Sequence, residues 1–574
     1  MRLAPATCLL ALLISPVAHA RVPEPLPPRD PAAASAADSL PRPHIGDAAG
    51  EWLWTTLSAP APANDSLGDV RTELRRVYAD RHWNRLWTAG GWPSPTARRI
   101  LQVIRSAAVQ GLDPGQFDTG VFHLAAAGMA PPAAPPTPAE QARFDLRLSV
   151  SVARYMGAMY SGRVAPSFAH PTLHWRGQVL DRVRMLDSLA RSPRPDTLLA
   201  RLVPSSREYA RLAEALPRYR AAGSDSVLIR LAARKPALRL GDRYPDARAL
   251  GSLLSLADVA PNPKLAGTPR DSVVTRELLD RVQRLERRDS THVDVTLGAH
   301  AARTLRHDLT DKATVVALAM ERQRWLTREF PLPPIIVNIP AFDLRYWRAS
   351  TDDSGLVMQM KVQAGRADST ETPMLSDRLR AVIFRPYWDI PVSIMRKEVL
   401  PKALADSSYI RHQGYELVRG YGAHAPVVPV DSANIAAIGH AVRVRQPPGP
   451  ANALGDVKFQ LSNDESIYMH DTPQRGLFTR SRRDFSHGCI RLQNAPGLAE
   501  YLLRDHADWP VERIHAAARA DTQAVVGLVP PIPVEIVYWT ARTREDGSIE
   551  FLRDIYGHDH TLDSLMRLPF PLPR

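Results

Sequence analysis

A chain of 574 residues exceeds one core of ordinary size, so several domains are expected, and 44% hydrophobic with 23% charged residues is the balance of soluble folded material. The formal charge of +13 comes almost wholly from arginine, since only seven of the 73 basic residues are lysine. The arginines are scattered rather than drawn into a basic stripe interleaved with aromatics, which argues against a nucleic-acid partner and suits acidic envelope polymers.

Residues 1–20 carry a secretory pattern: Arg2 as a positive start, the apolar run Cys8 to Ile14, and the small-residue cleavage site Ala18-His19-Ala20. The run is too short to span a bilayer and Pro16 breaks it. No later stretch suits a transmembrane helix, so no membrane anchor is expected and the mature protein is placed in the periplasm. Cleavage removes Cys8 and leaves Cys489 as the one thiol. An internal disulfide is then impossible, and a lone exposed thiol is a liability unless it is buried or used.

Residues 21–64 are rich in Pro, Ala and Ser and read as a flexible linker, one source of the 52 prolines. A helical scaffold is expected over 65–235. Ile100, Val103, Ile104 and Ala107 recur at helical spacing, as do Phe144, Leu148, Ala153 and Met156 in a helix ending near Gly162. The string PPAAPPTP (131–138) is expected to be a loop. Over 236–305 short helices follow, with Leu250, Leu253 and Leu254 on one and Leu278, Val282 and Leu285 on another.

After about residue 334 the period changes. IIVNIPAF, GLVMQMKVQAG, LRAVIF, AVRVRQ, DVKFQL and SIYMHD are alternating or β-branched runs bounded by Gly, Pro and Asp, and they predict a β-rich domain over 306–530. Residues 396–440 look polar and irregular, an inserted lid with a short helix at MRKEVLPKAL and a mobile, turn-rich remainder. The tail 531–574 is expected to hold a hairpin of PVEIVYWTAR and SIEFLRD across Glu545-Asp546-Gly547. The fold class is α+β, multidomain.

Chemistry concentrates in Ser486-His487-Gly488-Cys489-Ile490-Arg491-Leu492, with Tyr468, His470 and Asp471 upstream. A thiol attacks carbonyls as the thiolate and needs a base or a positive environment. Histidine is the usual base. His487, two residues from Cys489, shares its face in an extended segment but points parallel to it. His470 ends the strand SIYMHD, from which a neighbouring strand aims its ring at the sulfur, so it is the favoured base. The Asp471 side chain or backbone carbonyl would orient that ring. Gly488 suits a turn whose N–H groups bind an oxyanion. A buried structural cysteine is the bland alternative. Zinc held by His470, His487 and Cys489 lacks paired ligand spacing, so no metal and no cofactor is expected. His558 and His560 read as polar loop residues. A papain-like peptidase is disfavoured because there the cysteine precedes its histidine.

The string HDTPQRGLFTRSRRDFSHGCIRL (470–492) closely resembles the signature of L,D-transpeptidases with a YkuD-type catalytic domain. ALAMERQRWL (317–326), IIVNIPAFDL (335–344), RPYWDIPVSI (385–394), RQPPGPANALGDVKF (445–459) and VEIVYWTA (534–541) resemble the large multidomain members from Gram-negative bacteria. RYMGAMYSGRVAP (154–166) resembles their scaffold domain, and 236–305 resembles their three-helix peptidoglycan-binding module. That module's aspartate–glycine turn is missing at VQRLERR (282–288) and VDVTLG (293–298), so glycan binding by it is not implied.

The resemblance implies that Cys489 attacks a tetrapeptide stem at its third residue, releases D-alanine and passes the acyl group to a second stem as a 3→3 cross-link. It makes His470 the base, places oxyanion donors around Gly488 and Cys489, and leaves His487 auxiliary. Arg491 holds a substrate carboxylate or a structural partner, Tyr468 lines the site, and carbapenem-type inhibitors should acylate the thiol. The rivals are a hydrolase using the same thioester with water as acceptor, and a non-catalytic envelope-binding protein with no need of a lone thiol beside a histidine.

Overall fold

The computed structural model describes residues 44–570 except 63–64, 119, 123–135, 170–179, 259–271, 290–294, 327–332, 348–354, 421, 464–465 and 545. The secretory pattern, Cys8 and most of the linker lie outside the described residues. The linker's end is not a linker: Ala48–Ser58 is a helix, capped by the Asp47 carboxylate, that buries Ala49, Leu53 and Leu57. These recur every four residues, an apolar stripe that the surrounding Pro/Ala composition hides.

The helix expected around Phe144 runs Pro138–Ser161. A Thr137–Glu140 capping box opens it, and Gly162, at φ +94°, ends it. Pro138, the last residue of the expected loop, is thus the first of the helix. Leu250, Leu253, Leu254, Leu278, Val282 and Leu285 are buried as one cluster with Tyr209, Leu212, Leu228 and Leu305. Helix Ala299–Arg324 crosses residue 305, where a domain boundary was expected. Its Leu305 and Leu309 join the helical cluster while Leu318 and the following Trp325 join the core of the β-rich domain, so one helix belongs to both.

The strands of the β-rich domain are, in chain order, β1 (Ile335–Asn338), β2 (Asp343–Trp347), β3 (Leu356–Gly365), β4 (Leu375–Phe384), β5 (Val457–Leu461), β6 (Met469–His470), β7 (Asp484–Ser486), β8 (Ile490–Leu492) and β9 (Ala524–Val537). They pair in the order β7-β3-β8-β6-β5-β4-β9-β1-β2, and β2 pairs back onto β3, closing the circuit. Closure leaves few open edges. Val457, Phe459, Leu461, Met469, Ile490 and Leu492 face the core together with Leu498 and Leu503 of helix Ala495–Leu503. Period two therefore sends Lys458, His470 and Arg491 to the other face.

Strand β9 runs through residues 530–531, so the tail does not begin there. Val534–Val537 pairs with β1 and β4, and only Ala541–Thr543 forms the expected hairpin, with Ile549–Phe551. Gly547 supplies the positive φ (+81°) of its turn.

The expected irregular lid is instead a folded subdomain. Strands Trp388–Asp389, Arg443–Gln446, Glu416–Val418 and Val427–Val428 make a sheet of their own. Ile390, Met395, Val399, Ile410, Leu417, Ile435 and Val444 form a separate core under the helical run Val392–Ala405. Its strands are two to four residues long and pair across large separations, so no local period betrays them.

On β9, Glu535 is 1% exposed and accepts a hydrogen bond from Ser376 Oγ at 2.7 Å. Burial pushes its carboxyl up to about 8. The folded state then keeps a proton that the unfolded chain loses above the ordinary carboxylate range, so stability falls as pH rises towards 8. Glu535→Gln, which keeps an acceptor for Ser376 but does not titrate, is expected to be stabilising at pH 8 by roughly 1 kcal/mol or more and close to neutral at pH 4. Urea midpoints at the two pH values decide; equal shifts at both would refute the buried neutral carboxyl.

Candidate active site

Three neighbouring strands build the site. Parallel pairing sets Met469 against Ile490 and His470 against Arg491, and the Ile490 N–H donates to the Tyr468 carbonyl at 3.1 Å. Antiparallel pairing sets Lys458 against His470. Tyr468 and His470 thus share a face with Cys489 and Arg491, although nineteen residues separate the histidine from the thiol.

His470 is 4% exposed. Its Nδ1–H donates to the Asp471 backbone carbonyl at 2.5 Å, and the Leu454 backbone also hydrogen-bonds the ring. The orienting group is the carbonyl and not the Asp471 carboxylate. That carboxylate accepts from the Asp456 N–H at 3.1 Å and pairs with Arg475 at 2.9 Å. Gly455 makes room for it: a Cβ there would lie 2.5 Å from Asp471 Oδ2. Burial, then Arg491 and Lys458, push the His470 imidazole down to about 3, so it is neutral at physiological pH.

Cys489 is half-buried, with Sγ 3.6 Å from the Ser466 carbonyl. Burial pushes its thiol up, while hydrogen bonds from the Tyr468 backbone and hydroxyl and the charges of Lys458 and Arg491 pull it down. The resting pair is a neutral thiol near a neutral imidazole. Tyr468 in turn hydrogen-bonds Trp388 of the inserted subdomain.

The turn before the thiol is held from several sides. Gly488 sits at φ +108°, and a Cβ there would meet nothing closer than 3.6 Å, so conformation rather than space demands glycine. Ser486 Oγ donates to the Cys489 carbonyl at 2.6 Å and accepts from the Gly488 N–H at 3.1 Å. The Gly488 N–H is therefore engaged within the turn. Thr372 Oγ1 donates to the Gly488 carbonyl at 2.8 Å and Thr370 Oγ1 to that of Ser486 at 2.9 Å. Tyr556 braces the Thr372 loop by donating to the Gly365 carbonyl at 2.7 Å and accepting from the Thr372 N–H at 3.3 Å.

The 487–489 segment is bent rather than extended, so the extended geometry expected for His487 does not hold. The His487 Nε2 lies 2.8 Å from Glu398 of the inserted subdomain. Arg491 Nη1 bonds Gln474 at 2.9 Å and Gln363 at 3.4 Å, while Nε is buried with no hydrogen-bond partner among the described residues. A shallow cleft of about 530 Å³, lined by Gln474, Gly476, Leu477, Thr479 and Arg480, adjoins it. His558 and His560 open helix His558–Arg567 rather than lying in a loop, and His558 pairs with Glu371 at 2.9 Å. Among the described residues no cluster of three or more His, Cys, Asp or Glu could hold a metal ion.

Sequence reasoning missed Lys458, Thr370, Thr372, Trp388, Glu398 and Tyr556. A lone lysine at an alternating position between Val457 and Phe459 was the one legible signal, and it does not say which strand faces it.

Residues 334–524 match the profile of an L,D-transpeptidase catalytic domain (YkuD), and residues 72–216 match that of a scaffold domain. A Haemophilus influenzae protein named "Putative L,D-transpeptidase" is 34% identical over 231 residues, 40% of this chain. The match covers 45% of that relative, about half its length.

Proposed function

We propose that this chain, which carries a YkuD L,D-transpeptidase catalytic domain beside a scaffold domain, forms 3→3 cross-links in peptidoglycan through a thioester on Cys489. The observation that carries this reading is the parallel pairing of β6 and β8, which sets His470 and Cys489 on one face, with Nδ1 of the ring tied to the Asp471 carbonyl. Cys489 Sγ bonds to the carbonyl carbon of the third stem residue while its proton passes to His470. The tetrahedral oxyanion is held by the Cys489 N–H, because the Gly488 N–H is engaged with Ser486. Collapse expels D-alanine, whose amine takes the proton from His470. A side-chain amine of a second stem then gives its proton to His470 and displaces the sulfur, which regains a proton. Arg491, with no acidic partner among the described residues, faces the anionic part of a stem. Carbapenems enter by the same attack, their strained lactam standing for the donor carbonyl.

The inserted subdomain acts as a lid. Glu398 reaches His487 and Trp388 reaches Tyr468, so its closure excludes water and favours transfer over hydrolysis. The chain works in the periplasm after removal of residues 1–20. No helix among the described residues is long and apolar enough to cross a membrane.

Incubation with tetrapeptide-rich sacculi followed by muropeptide analysis tests this. New 3→3 dimers are expected, and Glu398→Ala should raise the ratio of tripeptide to dimer severalfold. Tripeptides alone from the wild type would favour the hydrolase, and no change in the muropeptides would favour a non-catalytic envelope-binding protein.

A further inference from the structure

Among the described residues, one lysine, Lys458, stands inside the site. Lys458 lies on β5 between Val457 and Phe459, which enter the core, so its side chain leaves on the face of His470 and Cys489. Register places it directly across from His470. Its Nζ is 4.1 Å from the centroid of the Tyr468 ring, which is 5.6 Å from the His470 ring. It forms no ion pair with a carboxylate among the described residues; Asp389 acts on it only at longer range. Lys458 is half-buried, and partly desolvating an ammonium without an acid beside it is costly; such a group is retained where an anion forms.

Cysteine nucleophiles commonly draw their charge stabilisation from an imidazolium. Here His470 is buried and neutral, so it can receive the sulfur's proton but offers no standing charge. Two cations remain near the thiol. Arg491 is turned to Gln474 and Gln363 through Nη1, whereas the Lys458 ammonium lies over Tyr468, whose hydroxyl and backbone both serve the sulfur.

We propose that Lys458 is the electrostatic partner of Cys489, the fixed positive charge that stabilises the sulfur anion as its proton leaves. This rests on Cys489 being the nucleophile. The charged and titratable groups facing the thiol among the described residues are Lys458 from β5, Tyr468 and His470 beside and on β6, and Arg491 from β8. Asp389 of the inserted subdomain acts through Lys458 and Tyr468, and Arg366 through Arg491.

The test is the pH dependence of iodoacetamide alkylation in the full chain, followed by mass spectrometry on the Cys489 peptide. It needs no stem peptide, so it stands whether or not cross-linking is found. Lys458→Met is expected to slow alkylation at pH 7 by about tenfold and move the profile about one pH unit alkaline. Lys458→Arg should stay within about twofold of wild type, as a retained charge requires. His470→Gln should leave the midpoint nearly in place, because a neutral ring contributes no charge. A Lys458→Met profile that superimposes on wild type, in a variant with unchanged melting, overturns the proposal. So does a His470→Gln profile displaced by a full pH unit, which would make imidazolium the partner; that arm decides even if Lys458→Met does not fold.

Discussion

Cys489→Ala is expected to reduce 3→3 dimer formation by at least about 10⁴-fold, to background in muropeptide analysis. No other described group can take its place, because the neighbours on that face are a phenol, an imidazole, an ammonium and a guanidinium. The fold should survive. The side chain removed contacts the Ser466 carbonyl at 3.6 Å and takes hydrogen bonds from Tyr468, while Ile490 and Leu492 keep β8 in the core. The bent turn is held by Ser486, Thr370 and Thr372, none of which touches the sulfur. Unfolding midpoints should therefore move by no more than about 0.5 kcal/mol. A carbapenem adduct, seen by intact mass in the wild type, should vanish in this variant. Retained cross-linking would end the cysteine mechanism.

His470→Ala is expected to lower the rate of acylation by roughly 10²- to 10⁴-fold, the range for loss of a positioned general base. His487→Ala should cost clearly less, since its ring is engaged by Glu398 and its loss loosens the lid rather than the proton transfer. Acylation followed by stopped-flow or mass spectrometry ranks the two, and the reverse order would show the base to be misassigned. The pH profile carries a second signature. The His470 imidazole is pushed down to about 3, so the base stays competent as pH falls through the ordinary histidine range and is lost only near that value. Burial raises the thiol, so the rate should climb on the alkaline side. An acid limb near 6.5 that disappears in His470→Ala would refute the buried neutral ring.

Much of this was legible before any coordinates. Local periodicity depends on which side chains a single element buries, and that is written along the chain. Leu250 with Leu253, Leu278 with Val282, and the alternation of Val457 and Phe459 therefore read correctly from spacing alone. The helix end near Gly162 could be read for the same reason, because helix ends are set by neighbouring residues. The string from His470 to Leu492 marked the candidate site, since a thiol, a turn glycine and an upstream histidine state their chemistry by type. Local spacing failed wherever a contact joined distant segments. The inserted subdomain looked irregular because its strands are too short to show a period, and its core exists only once Ile390, Leu417 and Val444 meet. Which part of Asp471 orients His470, where His487 turns, and which lysine stands over Tyr468 all depend on sheet register and on one bent turn. Register is a long-range choice: alternation tells each strand which face to bury but not which strand lies beside it, and only the closed circuit of strands brings Lys458, His470 and Cys489 to one face.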